Sequence, residues 1–534
     1  MNAKTALLGT VVLVVCNLAL PSSLSAEQPA QSHMQVIYDS YHDTSLPVRE
    51  YSTAPPQGKI PHEVEHPRPG RILSGATVEV RDTAEQDTRL APPVSAKIGL
   101  NQEGIPNSAN GQSLEGIPSD NNLAAGATQV VETINTAWQV FDKTGKSLFG
   151  PQQISAIFTG MSGLCGQGQT FFWTDPIVMY DQIAKRWIIS QIAADSSFNT
   201  GNECIAVSQT SDATGKYNRY AFTFGTNVFN DYDKLAVWPD AYYASYNLFT
   251  SGRFTAADAC AYDRAAMLKG AKTKVVCFQN SSEFGFLPSN LDGATMPPAG
   301  EPNFFVDLST STSLHLFRFH VDFAKPKNSK FTGPVSINVK AFTMACGGGT
   351  CIPQPGTTQK LDTLGDRLMF RLAYRNFGDH ETLVASHSVQ SSKAVSGERW
   401  YEIRSPNGTP KVFQQGTVTS GGNALWMGSI AMDKEGDMAL GFSQSNASTL
   451  HPSLAFTGRV PTDPPNTMES VASIFTAKGS ATDASRWGDY SSMVIDPSDD
   501  CTFWYVNQYI PKTGSKNAIT FHTRLASLKF PTCQ

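Results

Sequence analysis

Residues Arg486 to Ile510 read RWGDYSSMVIDPSDDCTFWYVNQYI. Tyr490 to Ile495 is apolar and β-branched at its end. Asp496-Pro497-Ser498-Asp499-Asp500 is a dense turn cluster, and Thr502 to Val506 is aromatic and β-branched. The stretch therefore predicts a strand, a tight turn and a second strand, with Gly488-Asp489 standing just before the first. The same grammar recurs upstream. Asp175 opens DPIVMYDQIAKRWIIS, Asp240 opens DAYYASYN, Asp366 opens DRLMFRLAYRN and Ser429 opens SIAMDKEGDMALGFS. Asp120 opens DNNLAAGATQVVETI, and a degenerate copy, NFFVDL, begins at Asn303.

Positions 120, 175, 240, 303, 366, 429 and 489 are spaced by about 55 to 65 residues. Near-even spacing of strand-and-turn units marks a radial β array rather than one sandwich. Each copy is long enough for a four-stranded blade with its loops. The expected fold is all-β, a β-propeller over residues 120–534, most simply seven-bladed, with six and eight as the neighbouring counts.

Met1 to Ala26 has Lys4 in a basic n-region, an apolar run from Ala6 to Leu20 and the small-residue site Leu24-Ser25-Ala26, which predicts a secretory signal peptide. No other segment is long and apolar enough for a bilayer span. Residues 27–119 are rich in Pro, Gln, Ser and Asn and read as an extended arm. Only Ala76 to Val80 and Val94 to Leu100 look strand-like there.

The net charge of −5, from 41 basic and 46 acidic residues, argues against nucleic acid or an anionic membrane as partner. Beyond Cys16, inside the leader, eight cysteines remain, an even count that in an exported chain favours disulfides. Composition leaves the connectivity open. Neighbours in the chain fall within the same or adjacent copies, so pairing in sequence order is the simplest expectation: Cys165–Cys204, Cys260–Cys277, Cys346–Cys351 and Cys501–Cys533.

His62-Glu-Val-Glu-His66 matches the zinc-protease pattern. That chemistry needs both histidines on one face of a stable helix, and Pro61 and Pro67 confine any helix to about one turn. Neither a nucleophile elbow nor a phosphate loop appears. Trp187, Trp426, Trp487 and Trp504 recur at similar places in their copies and are expected to pack blade on blade.

If the copies are blades, the starts of their inner strands converge on one axis. Asp120, Asp175, Asp240, Asp366 and Asp489 then form a ring at one mouth of the channel, with Asn303 and Ser429 completing it. Converging carboxylates repel, so they require a cation, arginines or raised pKa values; Arg367 and Arg486 are the adjacent counter-charges. Three roles fit: capping of strand ends, a Ca²⁺ site with oxygen ligands, and acid–base catalysis. For catalysis the first choices are Asp489 and Asp240, tuned by Arg486 and His380, while Asp120, Asp175 and Asp366 are the candidates for holding a ligand or ion.

The segments DPIVMYDQIAKRWIISQ, GDRLMFRLAYRNFGDHE, MGSIAMDKEGDMALGFS and RWGDYSSMVIDPSDDCTFWYVNQY resemble a group of secreted bacterial β-propeller proteins of unassigned role. In architecture these are similar to the sialidase-like propellers, which include many glycan hydrolases. The S-x-D-x-G-x-x-W box is missing, the nearest turn being Asp433-Lys-Glu-Gly436-Asp437, and no arginine triad accompanies a tyrosine nucleophile. The resemblance thus implies a secreted propeller acting on extracellular carbohydrate, with a non-catalytic binding or adhesion propeller as the alternative.

Overall fold

The computed structural model describes residues 33–51, 81–106, 108–109, 112–113, 117–166, 172–514 and 521–534. The expected signal peptide, the His62–His66 motif and the strand expected at Ala76 to Val80 lie outside the described residues. The described chain is all-β, as expected. Its one α-helix, Arg264–Leu268, is a single short turn, N-capped by Asp263 accepting from the Ala266 N–H.

Seven antiparallel four-stranded arrays follow one another along the described chain. Their first strands are Asn122–Ala125, Phe172–Asp181, Val228–Val237, Leu287–Leu291, Met369–Asn376, Ala424–Met432 and Ser492–Ile495. Each array then steps outward by hairpins. The second, for example, runs Phe172–Asp181, Arg186–Ala194, Gly201–Ser208 and Tyr217–Thr223. The first strand of every array packs against the first strand of the next, and that of the seventh returns to that of the first. The fourth and fifth arrays also share a parallel ladder, with Ser289 opposite Leu372 and Leu291 opposite Tyr374.

These strands are buried on both faces, which is why they read as apolar runs instead of alternating ones. Between arrays the core is aromatic. Trp426 of the sixth array tilts against Trp487, just before the seventh, at 5.8 Å between ring centroids, whereas Trp187 tilts at 4.8 Å against Tyr180, its cross-strand neighbour within the second array. The Trp187 Nε1–H reaches the Ser211 carbonyl and the Trp487 Nε1–H the Ser443 hydroxyl, so both indoles are buried with their polar tips satisfied.

The arm departs from the expected extended strap. His33–Tyr38 is a fifth strand on the third array, pairing with Lys274–Asn280, and Tyr41–Thr44 is a fifth strand on the second. Lys97–Pro106 is the outermost strand of the seventh array, antiparallel to His522–Lys529. The seventh array is therefore built from both ends of the chain. The C-terminal strand is the third of the seventh array, and the N-terminal segment covers its open edge. Residues 81–92 cross the fifth and sixth arrays, where buried Arg399 pairs with Asp82 and the Gln86 amide bonds the Met468 backbone.

All four disulfides form in sequence order: Cys165–Cys204, Cys260–Cys277, Cys346–Cys351 and Cys501–Cys533. Four disulfides suit an oxidising compartment. No helix among the described residues is long and apolar enough to cross a membrane.

Candidate functional site at the channel mouth

Five of the seven first strands begin or bulge at one residue with left-handed backbone: Asp120 (φ 44°), Asp175 (51°), Tyr232 (54°), Met427 (59°) and Asp489 (59°). In the second, third and sixth arrays the ladder slips there, between Thr174 and Ile177, Asp231 and Lys234, and Trp426 and Ser429. Aspartate tolerates positive φ better than most residues because its short polar side chain bonds locally. This explains why aspartate recurs at the spot. Tyrosine and methionine gain no such help, so Tyr232 and Met427 hold strained backbone there, at about 1–3 kcal/mol each.

Asp120, Asp175, Asp366, Asp489 and Arg486 all stand at this end of the first strands. Asp120 joins the seventh array to the first, its N–H donating to the Gly488 carbonyl at 2.9 Å, and its carboxylate accepts from Asn135 at 2.7 Å. Asp175 accepts from the Thr174 hydroxyl at 2.5 Å and the Tyr490 hydroxyl at 2.8 Å. Asp366 pairs with the Nε of Arg367 at 2.7 Å, and Asp489 with Arg486.

Asp240 and His380 are not brought to this site. Asp240 is exposed, in the turn after Val228–Val237, and accepts from the Tyr243 hydroxyl at 3.2 Å. His380 lies in the corresponding turn of the fifth array, stacked on Phe377 at 4.9 Å and bonded to exposed Asp379 at 2.7 Å. Both sit at the far ends of their first strands. Asn303 likewise opens the second strand of the fourth array, not the first. In each case an apolar run after a polar residue was the second strand of its hairpin.

The place assigned to Asp240 belongs to Asp231-Tyr232-Asp233-Lys234. The signal was present, since the run FNDYDKLAVW precedes DAYYASYN, but alternating charge and aromatic residues hid a strand that is buried throughout. Lys234 Nζ stands 3.1 Å from the Tyr232 ring centroid and 3.9 Å from that of Tyr490, and donates to the Asp233 carbonyl at 2.9 Å. Burial pulls the Lys234 ammonium down to about 7, against the attraction of Asp233 and Asp175. The Arg367 guanidinium lies over the other side of the site, 4.7 Å from the Tyr232 ring and 5.1 Å from that of Phe284.

Burial also lifts the carboxyl groups. Asp231 is pushed up to about 8, by desolvation first and Asp175 second, with Arg486 and Arg367 opposing. Its Oδ1 is buried without a hydrogen-bond partner among the described residues. Asp233 and, one strand further out, Glu203 are raised well above the carboxylate range by burial and then by a neighbouring carboxylate, Asp175 for the one and Asp233 for the other. The site thus sets a protonated carboxyl, Asp231, within electrostatic reach of Asp489, which is matched by a guanidinium. A small cleft of about 40 Å³ opens beside it, lined by Ile117, Ser119, Ser480, Thr482, Arg486 and Trp487 among others.

For the Ca²⁺ expectation, no three ring carboxylates place their oxygens within 4.8 Å of one another among the described residues. Two other groups there do bring three donors together: Asp258 with Cys260 and Cys277, whose sulfurs are bonded to each other, and Glu283 with Asp307 and His315.

No family model matches the chain, and no curated protein does either. Some solved structures are distantly similar to it. A GH43 endo-arabinanase from Bacillus licheniformis is 10% identical with a TM-score of 0.30, over 66% of this chain and 96% of that one. An exo-β-1,3-galactanase from Phanerochaete chrysosporium is 8% identical with a TM-score of 0.29, over 80% and 99%. The Dos1 propeller is 7% identical with a TM-score of 0.31, over 76% and 75%. Likenesses this distant say nothing about which residues react.

Proposed function

We propose that the protein is an exported seven-bladed β-propeller that hydrolyses an extracellular glycan at the channel mouth. The cycle of seven arrays, each first strand touching the next, supports the blade count. The leader-like Met1 to Ala26 and four disulfides support export.

One observation carries the chemistry. Asp231, kept protonated by burial, stands near Asp489, which a guanidinium holds in charge balance. Two carboxyl groups, one serving as acid and the other as base or nucleophile, are the working pair of glycoside hydrolysis. Asp231 would protonate the departing glycosidic oxygen, while Asp489 acts on the opposite side as base or nucleophile. Arg486 lines the cleft and holds Asp489 in place. A binding propeller without turnover is the second reading, favoured by the burial of Asp175, Asp366 and Asp489 and by their side-chain partners.

The test is a polysaccharide panel read by reducing-end release, with Asp489→Asn and Asp231→Asn as variants. Hydrolysis predicts loss of release by about 10²-fold or more in both, with melting temperatures near wild type. Wild-type protein that binds a panel member without cleaving it would support the binding reading and sink the enzymatic one.

A further inference from the structure

In the fourth array, strand Asn303–Thr310 pairs with Ser313–His320, and Asp307 stands opposite His315. His315 Nε2 lies 2.8 Å from the Ser309 hydroxyl, and His315 Nδ1 lies 2.9 Å from Glu283 Oε1. We propose that Ser309, His315 and Glu283 form a nucleophilic acyl-transfer site that hydrolyses esters of small acyl groups, separate from the carboxyl cluster of the channel mouth.

The chain of hydrogen bonds has one direction. A carboxylate can only accept, so Glu283 places the proton on Nδ1 and leaves Nε2 to accept from the Ser309 O–H. That is the tautomer a serine nucleophile requires, with the base held by a third group. Exposure follows the roles as well. The Glu283 side chain is 7% exposed and that of His315 is 19%, while Ser309 is half-buried. The orienting acid is thus enclosed, whereas base and nucleophile reach solvent. Asp307, fully buried, brings a carboxylate oxygen within 4.8 Å of donor atoms of both Glu283 and His315. Because Glu283 and Ser309 engage both ring nitrogens, the arrangement fits proton transfer better than a metal bound by Glu283, Asp307 and His315.

In the first step, Ser309 Oγ bonds to the acyl carbon and its proton moves to His315 Nε2. The C–O bond to the alcohol then breaks, and Nε2 returns the proton to the leaving oxygen. Water, deprotonated by His315, attacks the acyl-serine, and the acid departs as Ser309 regains its proton. Glu283 acts throughout as a positioning residue.

The experiment treats the folded, full-length protein with diisopropyl fluorophosphate and locates the adduct by peptide mass spectrometry, with 4-nitrophenyl acetate hydrolysis measured in parallel. The expected result is a single adduct on Ser309, lost in His315→Gln. Ester hydrolysis should fall about 10²-fold or more in Ser309→Ala. Glu283→Gln should lower kcat more than KM and move the histidine limb of the pH–rate profile to lower pH, which a purely structural glutamate would not do. Unmodified Ser309 in the wild-type protein, equal ester hydrolysis by folded Ser309→Ala, or a rise in melting temperature with added Zn²⁺ that Glu283→Gln abolishes would each overturn the proposal. None of these readouts depends on glycan cleavage.

Discussion

The hydroxyl of Tyr490 donates to Asp175 Oδ2 at 2.8 Å, across 315 residues of sequence, with the Asp233 carbonyl at 3.1 Å. One phenol of the seventh array thus contacts the first strands of the second and third. Its ring lies 5.3 Å from that of Tyr232 and beneath the Lys234 ammonium. Side chains as well as strands therefore join the second, third and seventh arrays at this level.

Tyr490→Phe keeps the ring and removes the donor, leaving buried Asp175 with one bond fewer. The expected loss is about 1–3 kcal/mol, read as a lower urea midpoint at constant m-value. Tyr490→Leu should lose more, because it also removes the cation–π contact with Lys234. Equal losses in the two variants would assign the whole effect to the lost hydroxyl and none to the ring.

Glu132 carries a pH signature. It is buried beside the N-terminal strand, accepts from Thr523 and the Ile105 N–H, and burial raises it from 4.5 to about 7. Between these values the unfolded chain gives up the proton first, so stability falls as pH rises from 4.5 to 7 and stays lower above. The full effect is about 3 kcal/mol. Glu132→Gln should flatten that part of the profile, measured as urea midpoints at pH 5 and pH 8. Lys234 slopes the other way: its folded value of about 7 lies below 10.5, so its contribution grows as pH rises between the two.

The disulfides should differ by loop length. Cys501–Cys533 spans 32 residues and fastens the C-terminus to the turn of the seventh array, whereas Cys346–Cys351 spans 5. Chain entropy gives about 3–4 kcal/mol for the first and about 2 for the second. Paired Cys→Ser variants compared by thermal melts check the order, and an inverted ranking would point to native contacts instead of loop entropy.

Removing residues 1–106 should bare the edge of His522–Lys529, which Lys97–Pro106 otherwise covers. The expected outcome is concentration-dependent association through that edge, seen by light scattering. Removal of residues 1–80 alone leaves that strand in place but bares Lys274–Asn280 and Tyr217–Thr223, so the contribution of the seventh array is read as the extra association of the longer truncation.

Much of this fold was legible in the sequence because strand hairpins and turn clusters are local. The hairpin Ser492–Ile495 to Thr502–Tyr509 lies where Asp496 to Asp500 announces its turn. The four cysteine pairs follow chain order because each joins neighbouring segments. Phase within the copies was harder to read. Asp240 and Asn303 open apolar strands as Asp175 does, and nothing local distinguishes the first strand of an array from the second. Lys234 was invisible as a core residue because its burial depends on rings supplied by Tyr232 and by Tyr490, 256 residues away. The Ser309–His315–Glu283 chain has no motif, since one of its members joins it through the fold. The role of Lys97–Pro106 was equally hidden, because its partner strand is more than 400 residues distant, the smallest separation being that of Pro106 and His522.

That last pairing orders events during synthesis. Lys97–Pro106 leaves the ribosome before any complete array, yet its partner is among the last segments made. Each of the first six arrays carries its own four strands and can assemble as it emerges, while this segment must wait unpaired through more than 400 residues of translation. The final act of folding is then an encounter of the two ends, an entropically slow, long-range step. Until it happens the ring stays open, and a chain truncated anywhere before residue 529 never seats the strand that shuts it.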